Sequence, residues 1–152
     1  VQINRICVID GQGGGIGAVV IKKLKESLGE SCEIVALGTN AIATAQMLKA
    51  RANRGATGEN SIVQTAPTAD IIIGPLGIVL AHSMMGEVTP KMAEAVSKSP
   101  ARKLLIPLSQ ENICVVGMPA IPLPRLVEML VELYIEGKTS RETAKSGQDG
   151  AF

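Results

Sequence analysis

The apolar run Ile6-Cys7-Val8-Ile9 leads directly into Asp10-Gly11-Gln12-Gly13-Gly14-Gly15-Ile16-Gly17-Ala18. A continuous apolar run of this length, stopped by a polar residue and a glycine, has the form of a strand buried on both faces. Five of the seven positions from 11 to 17 are glycine, so the chain must turn there, with positive φ angles open to it and almost no side chains in the way. Apolar residues then recur at Ile16, Val19, Val20, Leu24 and Leu28, with Lys22, Lys23, Lys25 and Glu26 filling the opposite face. That is helical spacing, and Gly29 closes the helix. Strand, glycine turn and helix in this order open an α/β layer structure.

The rest of the chain repeats the plan. Glu33 to Leu37 reads as a second buried strand, and Thr39 or Asn40 can cap a helix from Ala41 to about Ala52. Any third strand near Ala56-Thr57 must be very short; a helix is expected over Glu59 to Ala66 and a strong strand over Asp70 to Gly74. A helix is predicted over Leu76 to Met85, and Thr89-Pro90 starts another that runs to Lys98. Leu104 to Leu108 and Ile113 to Gly117 read as two strands whose link, Ser109 to Asn112, is too short for a parallel crossover, so an antiparallel edge hairpin is expected. The last helix opens at Leu123 or Pro124 and buries Leu126, Val127, Leu130, Leu133 and Tyr134. The expected fold is therefore a Rossmann-like, doubly wound, mostly parallel sheet in a single domain over residues 1–137. Residues 138–152 are polar, lack periodicity and read as a disordered tail.

Composition excludes several classes of function. The net charge is +1 and no block of like charge occurs, and Tyr134 and Phe152 are the only aromatic residues, so neither phosphate neutralisation nor base stacking points to nucleic acid. Cys7, Cys32 and Cys114 form no C-x-x-C pair and, with the single His82, lack zinc spacing, so no metal is expected. Cys7 and Cys114 lie in apolar runs and read as small buried hydrophobes in a reducing compartment. No signal peptide precedes Ile6, and the apolar stretch Ile71 to Met85 is glycine-interrupted and too short to span a bilayer, so the reading is cytoplasmic with no membrane partner. Met84-Met85 with Ile78, Val79 and Leu80 exceed what one amphipathic helix can bury, and a homodimer would absorb the excess.

In a parallel sheet the glycine turn sits where backbone N–H groups and the helix dipole favour an anion, so residues Gly11, Gln12, Gly13, Gly14, Gly15, Ile16 and Gly17 form the expected phosphate cradle. Gly13-x-Gly15-x-x-Ala18 fits the dinucleotide fingerprint. The alternative register, Gly11-x-x-x-Gly15-x-Gly17, resembles the short-chain dehydrogenase/reductase family, which implies NAD or NADP. No lysine followed by Ser/Thr closes the turn, which disfavours ATP hydrolysis. Thr39 and Asn40 stand where such dehydrogenases carry an acid for the ribose diol or an arginine for a 2′-phosphate, so the two cofactors are not distinguished and a mononucleotide or other phosphorylated metabolite fits as well. Gly74 and Pro75 bare the edge of the central strand for a ring or ribose, or simply turn the chain into the next helix.

Four segments, Ile9 to Gly17, Ala36 to Asn40, Gly55 to Asn60 and Ile73 to Ile78, are similar to those of a family of short bacterial Rossmann-like proteins with no assigned function. The resemblance spans Ile6 to about Leu133 and implies the fold without implying a reaction. No catalytic residue is identified. Tyr134 and Lys138 have the Tyr-x-x-x-Lys spacing of the short-chain family, but Tyr134 continues the buried stripe and Lys138 suits a helix end. His82 reads as a surface histidine, and Asp10 as a carboxylate bonded to the N–H groups of the turn rather than to a metal. Two functions follow: a nucleotide- or dinucleotide-binding protein acting as a small NAD(P)-dependent oxidoreductase, or a non-catalytic nucleotide or metabolite sensor or accessory subunit.

Overall fold

A computed structural model describes residues 2–108 and 112–138. Its centre is a five-stranded sheet of β1 (Arg5–Asp10), β2 (Glu33–Gly38), β3 (Arg54–Thr57), β4 (Ile71–Pro75) and β5 (Arg102–Ile106) in the order β3-β2-β1-β4-β5. All four pairings are parallel. The helices are α1 (Gly15–Leu28), α2 (Ala41–Lys49), α3 (Glu59–Thr65), α4 (Pro90–Lys98) and α5 (Leu123–Met129), the last running on into a π-helical turn over Leu130–Ile135.

Strand alternation builds two cores. Ile6, Val8, Ile34, Ala36, Ile71 and Ile73 face α1 and α5, where Val20, Ile21, Leu24, Val127 and Leu130 complete the layer. The intervening residues Cys7, Ile9, Val35, Leu37 and Ile72 face α3 and α4, against Ile62, Met92 and Val96. Each large side chain taken fully out of water stabilises the fold by about 1.5–3 kcal/mol, and such burial on both faces explains why the central strands carry no polar alternation. No helix among the described residues is long and apolar enough to cross a membrane.

The strand order reverses between β1 and β4: from β1 the chain winds outward to β2 and β3, then α3 carries it back over the sheet to β4. Loops leaving β1 and β4 at their carboxyl ends therefore diverge, and the crevice between them is where ligands bind in open sheets of this kind.

Three expectations are corrected. Among the described residues the antiparallel edge hairpin is not formed: β5 pairs only with β4 and in parallel, and Ile113 to Gly117 is not a strand, while residues 109–111 of the expected link lie outside the described residues. Gly117 takes φ 86°, Met118 N–H donates to Val115 O at 3.3 Å, and Val116 is 93% exposed. A four-residue β-prone run had no face to bury, and the turn at Gly117 with Pro119 and Pro122 directs the chain to α5 instead. Cys114, expected to be buried, is accordingly exposed, while Cys7 is buried as expected and Cys32 is buried too; burial pushes the Cys7 thiol up to about 11, which keeps it unreactive. The helix expected over Leu76 to Met85 shrinks to one 3-10 turn, Leu76–Val79. Ser83 Oγ donates to Gly77 O at 2.5 Å, and the backbone beyond closes on itself, with His82 N–H donating to Val88 O at 2.7 Å. The apolar excess is dispersed rather than lined up: Ile78 enters the core, Met84 covers the glycine turn and Met85 is 96% exposed. Of the tail expected over 138–152, residues 139–152 lie outside the described residues.

Candidate functional site

The site is assembled at the carboxyl edge of β1, β2 and β4. Asp10, the last residue of β1, is 3% exposed and organises the turn from below: Oδ1 accepts from Gly11 N–H at 2.8 Å and Oδ2 from Gly17 N–H at 2.7 Å. Burial raises its pKa, these N–H groups oppose the rise, and the nearby Glu87 charge adds to it. The residue thus does what a turn-bonding carboxylate does, and no cluster of three metal-ligating side chains occurs among the described residues.

The glycines of the turn divide by role. Gly14 has φ 72° and a Cβ there would lie 2.8 Å from the Ala43 backbone; a Cβ on Gly17 would meet the Met47 side chain and the Asp10 Cβ. Both are needed for turn geometry and close helix packing. Gly13 and Gly15 are different. Nothing lies within 4 Å of a Cβ built on either, and neither has positive φ. Both are exposed, and their N–H groups meet no acceptor among the described residues. The N-cap of α1, Gly14, has no side chain to cap it; Asp10 takes the Gly17 N–H of the first turn, and the Gly15 N–H is left at the positive end of the dipole.

At the end of β2, Asn40 serves two elements. Its Oδ1 caps α2 by accepting from Ala43 N–H at 2.9 Å, and its Nδ2 donates to Gln12 O at 3.0 Å. Thr39 N–H donates to Asp10 O at 3.0 Å. Gln12, Thr39 and Asn40 are therefore brought together as the sequence expects. Gly74 and Pro75 are buried; the space a Gly74 Cβ would need is taken by Ile9 O and the Ile78 side chain, which leaves these two residues beneath the site rather than in its open part.

The residue that sequence reasoning passed over is Glu87. It arrives on a strap, residues 76–89, that leaves β4 and crosses above Gly11, where a Cβ would meet Met84 Sδ at 2.6 Å and Glu87 Oε1 at 3.4 Å. Glu87 Oε1 accepts from Gln12 N–H at 3.1 Å, from Thr39 Oγ1 at 2.8 Å and from Asn40 Nδ2. Burial pushes its pKa up, but the three donors outweigh that and hold the carboxyl below the ordinary glutamate range. The available signal was complementary: β2 ends without an acid, and a single acid follows the apolar run after β4.

Two further candidates are located. His82 is exposed on the strap with φ 70°. Tyr134, expected in the buried stripe of the last helix, is instead 49% exposed and lies against Arg102, whose guanidinium is 5.3 Å from the ring centroid. Arg102 begins β5 opposite Ile71, the first residue of β4, so Tyr134 is at the amino edge of the sheet, the far side from the glycine turn.

Among solved structures, the chain is similar to a universal stress protein crystallised in complex with cAMP, with 16% identity over 69% of this chain and 98% of that one and a TM-score of 0.40. A universal stress protein from Archaeoglobus fulgidus gives 13% identity over the same shares and a TM-score of 0.39. No curated protein matches the sequence. A family match does exist and covers residues 5–138, so the chain belongs to the family described as Domain of unknown function (DUF3842).

Proposed function

We propose that this protein binds a nucleotide, with its phosphates on the N–H groups of Gly13 and Gly15 at the start of α1 and its ribose towards Thr39 and Asn40. The carrying observation is the open space around Gly13 and Gly15. Packing and backbone conformation account for Gly14 and Gly17 but give no reason for glycine at 13 and 15, whereas close approach of a phosphate to the backbone does. NAD or NADP is the dinucleotide form of this ligand.

Between oxidoreductase and non-catalytic sensor, the position of Tyr134 at the opposite edge favours the sensor, since the Tyr-x-x-x-Lys pair has no path to a cofactor seated on the turn. A homodimer would draw on the one fully exposed member of the apolar run, Met85.

A thermal-shift panel of NAD, NADH, NADP, NADPH, ATP, GTP, S-adenosylmethionine and sugar phosphates tests the proposal. A ligand at about 100 times its Kd stabilises the folded state by about 2.7 kcal/mol. At least one nucleotide raises the midpoint; no response from any nucleotide overturns the reading.

A further inference from the structure

Rossmann sheets that bind NAD place a carboxylate at the end of β2, where it accepts from a ribose hydroxyl. In this chain β2 ends in Gly38-Thr39-Asn40 and offers none. The carboxylate at that place comes instead from the strap. Glu87 Oε1 is held by Gln12 N–H, Thr39 Oγ1 and Asn40 Nδ2, a set drawn from the ends of both β1 and β2. Its other oxygen is different: Oε2 receives no donor among the described residues and is not among the fully buried unpaired oxygens. No cation pairs with the group among the described residues, so its charge is not consumed internally. One oxygen is fixed and the other is free, which makes a preorganised acceptor.

The backbone that delivers this group is held in an unfavourable conformation. His82, Met84 and Met85 have φ of 70°, 55° and 58°, the left-handed region that non-glycine residues rarely occupy. A strap serving only to cover Gly11 could do so with Met84 alone. The strap sets the carboxylate above Gly11 and bonds it to the N–H of Gln12, one residue before Gly13, and to the side chains that end β2.

We infer that Glu87 is the specificity-determining residue of the site, accepting from a ribose 2′,3′-diol, so that the ligand is a nucleoside 5′-diphosphate or dinucleotide with an unmodified ribose. The inference rests on the nucleotide reading of the glycine turn. A 2′-phosphate is excluded because it removes the hydroxyl donor and sets two negative charges against each other; a 2′-deoxy sugar loses one hydrogen bond to a charged acceptor.

Calorimetric titration of the full chain with NAD, ADP, NADP, 2′-deoxy-ADP and inorganic pyrophosphate tests it. Loss of one hydrogen bond to a charged group corresponds to about 10-fold or more in affinity, so 2′-deoxy-ADP binds at least about 10-fold more weakly than ADP. NADP binds about 100-fold more weakly than NAD. In Glu87→Gln, with an unchanged circular dichroism spectrum, the NAD to NADP gap narrows to about 3-fold while pyrophosphate affinity does not fall, the loss of a nearby negative charge acting in its favour. If NADP binds wild type as well as NAD does, or the variant keeps the full gap, the role of Glu87 is overturned and the phosphate seat stands. If neither pyrophosphate nor any nucleotide binds, both readings fall. Should Glu87→Gln fail to fold, the wild-type comparisons of NAD with NADP and of ADP with its 2′-deoxy form decide the matter.

Discussion

The glycine turn at 11–17 and the strap at 76–89 meet above the end of β1, and they reach their shapes by opposite routes. The turn is local. The bonds that shape it run between residues at most seven apart, from Gly14 N–H to Gly11 O and from Gly11 and Gly17 to Asp10, with Gln12 alone reaching out to Asn40 and Glu87; its one left-handed non-glycine is Gln12 with φ 48°. The strap places His82, Met84 and Met85 in left-handed backbone, at a cost of about 1 kcal/mol or more each. Its backbone closes on itself, but its seat on the sheet edge rests on contacts far along the chain, Met84 against Gly11 and Glu87 against Gln12, Thr39 and Asn40. A turn whose residues match its conformation can be read from sequence; a segment whose residues oppose its conformation persists only because the surrounding structure imposes it, and such segments cluster at functional sites.

This contrast can be broken by substitution. The largest effect is expected at Gly14→Ala, which forces a Cβ onto the Ala43 backbone at a φ of 72°; urea unfolding should show a loss of about 3 kcal/mol with little change in the slope. Gly15→Val does the reverse. Its side chain enters open space, so the thermal midpoint stays within a few degrees while nucleotide affinity falls about 100-fold, or about 2.7 kcal/mol. If the two variants behave alike, the division of the glycines into folding and binding sets is wrong.

On the strap, Glu87→Ala leaves Thr39 Oγ1, Asn40 Nδ2 and Gln12 N–H without their shared acceptor. Partial access to water limits the loss to about 1–2 kcal/mol, and hydrogen exchange should quicken over residues 82–88 before it does so in β1. Met85→Asn sharpens the comparison from the other side. Met85 is 96% exposed with φ 58°, and asparagine tolerates that conformation, so stability should rise by about 0.5 kcal/mol. A loss there would mean that Met85 makes a contact that its exposure conceals.

The smallest effect is in pH dependence. Glu87 has its folded pKa lowered, so the stability it contributes is present above its unfolded value near 4.5 and is lost as pH falls through the folded value. Asp10 has its folded pKa raised, chiefly by burial, so its contribution runs the other way: it is fully present below the unfolded value near 3.8 and is lost as pH rises through the folded value. The two oppose each other in wild type. In Glu87→Gln the first contribution is gone, so the difference in thermal midpoint between wild type and variant should shrink as pH is lowered from 7 towards 3.

The same contrast explains what could be read in advance. β1, α1, β2 and the Asn40 cap follow from apolar runs, helical spacing and a capping residue, each a short-range signal, and they position Gly11 to Gly17, Thr39 and Asn40 as expected. β3, Arg54–Thr57, was legible only in outline, as a limit on any third strand near Ala56-Thr57, because its polar, glycine-punctuated stretch carries no apolar run. The edge hairpin was misread because Ile113 to Val116 has strand propensity but no burial to support it. Helical periodicity over Leu76 to Met85 was misread for a related reason: Ile78, Met84 and Met85 share a pattern but go to the core, to Gly11 and to solvent. Glu87 was invisible because its partners lie at least 47 residues away.

The central claim, that the amides of Gly13 and Gly15 seat a phosphate, is tested most directly by amide resonances. Titrating isotopically labelled protein with inorganic pyrophosphate, and separately with ADP, should move the Gly13 and Gly15 N–H signals downfield as they acquire an anionic acceptor, while those of Gly11 and Gly17, already bonded to Asp10, move less. Unmoved Gly13 and Gly15 signals at saturating ligand, or shifts confined to another edge of the sheet, would contradict the account.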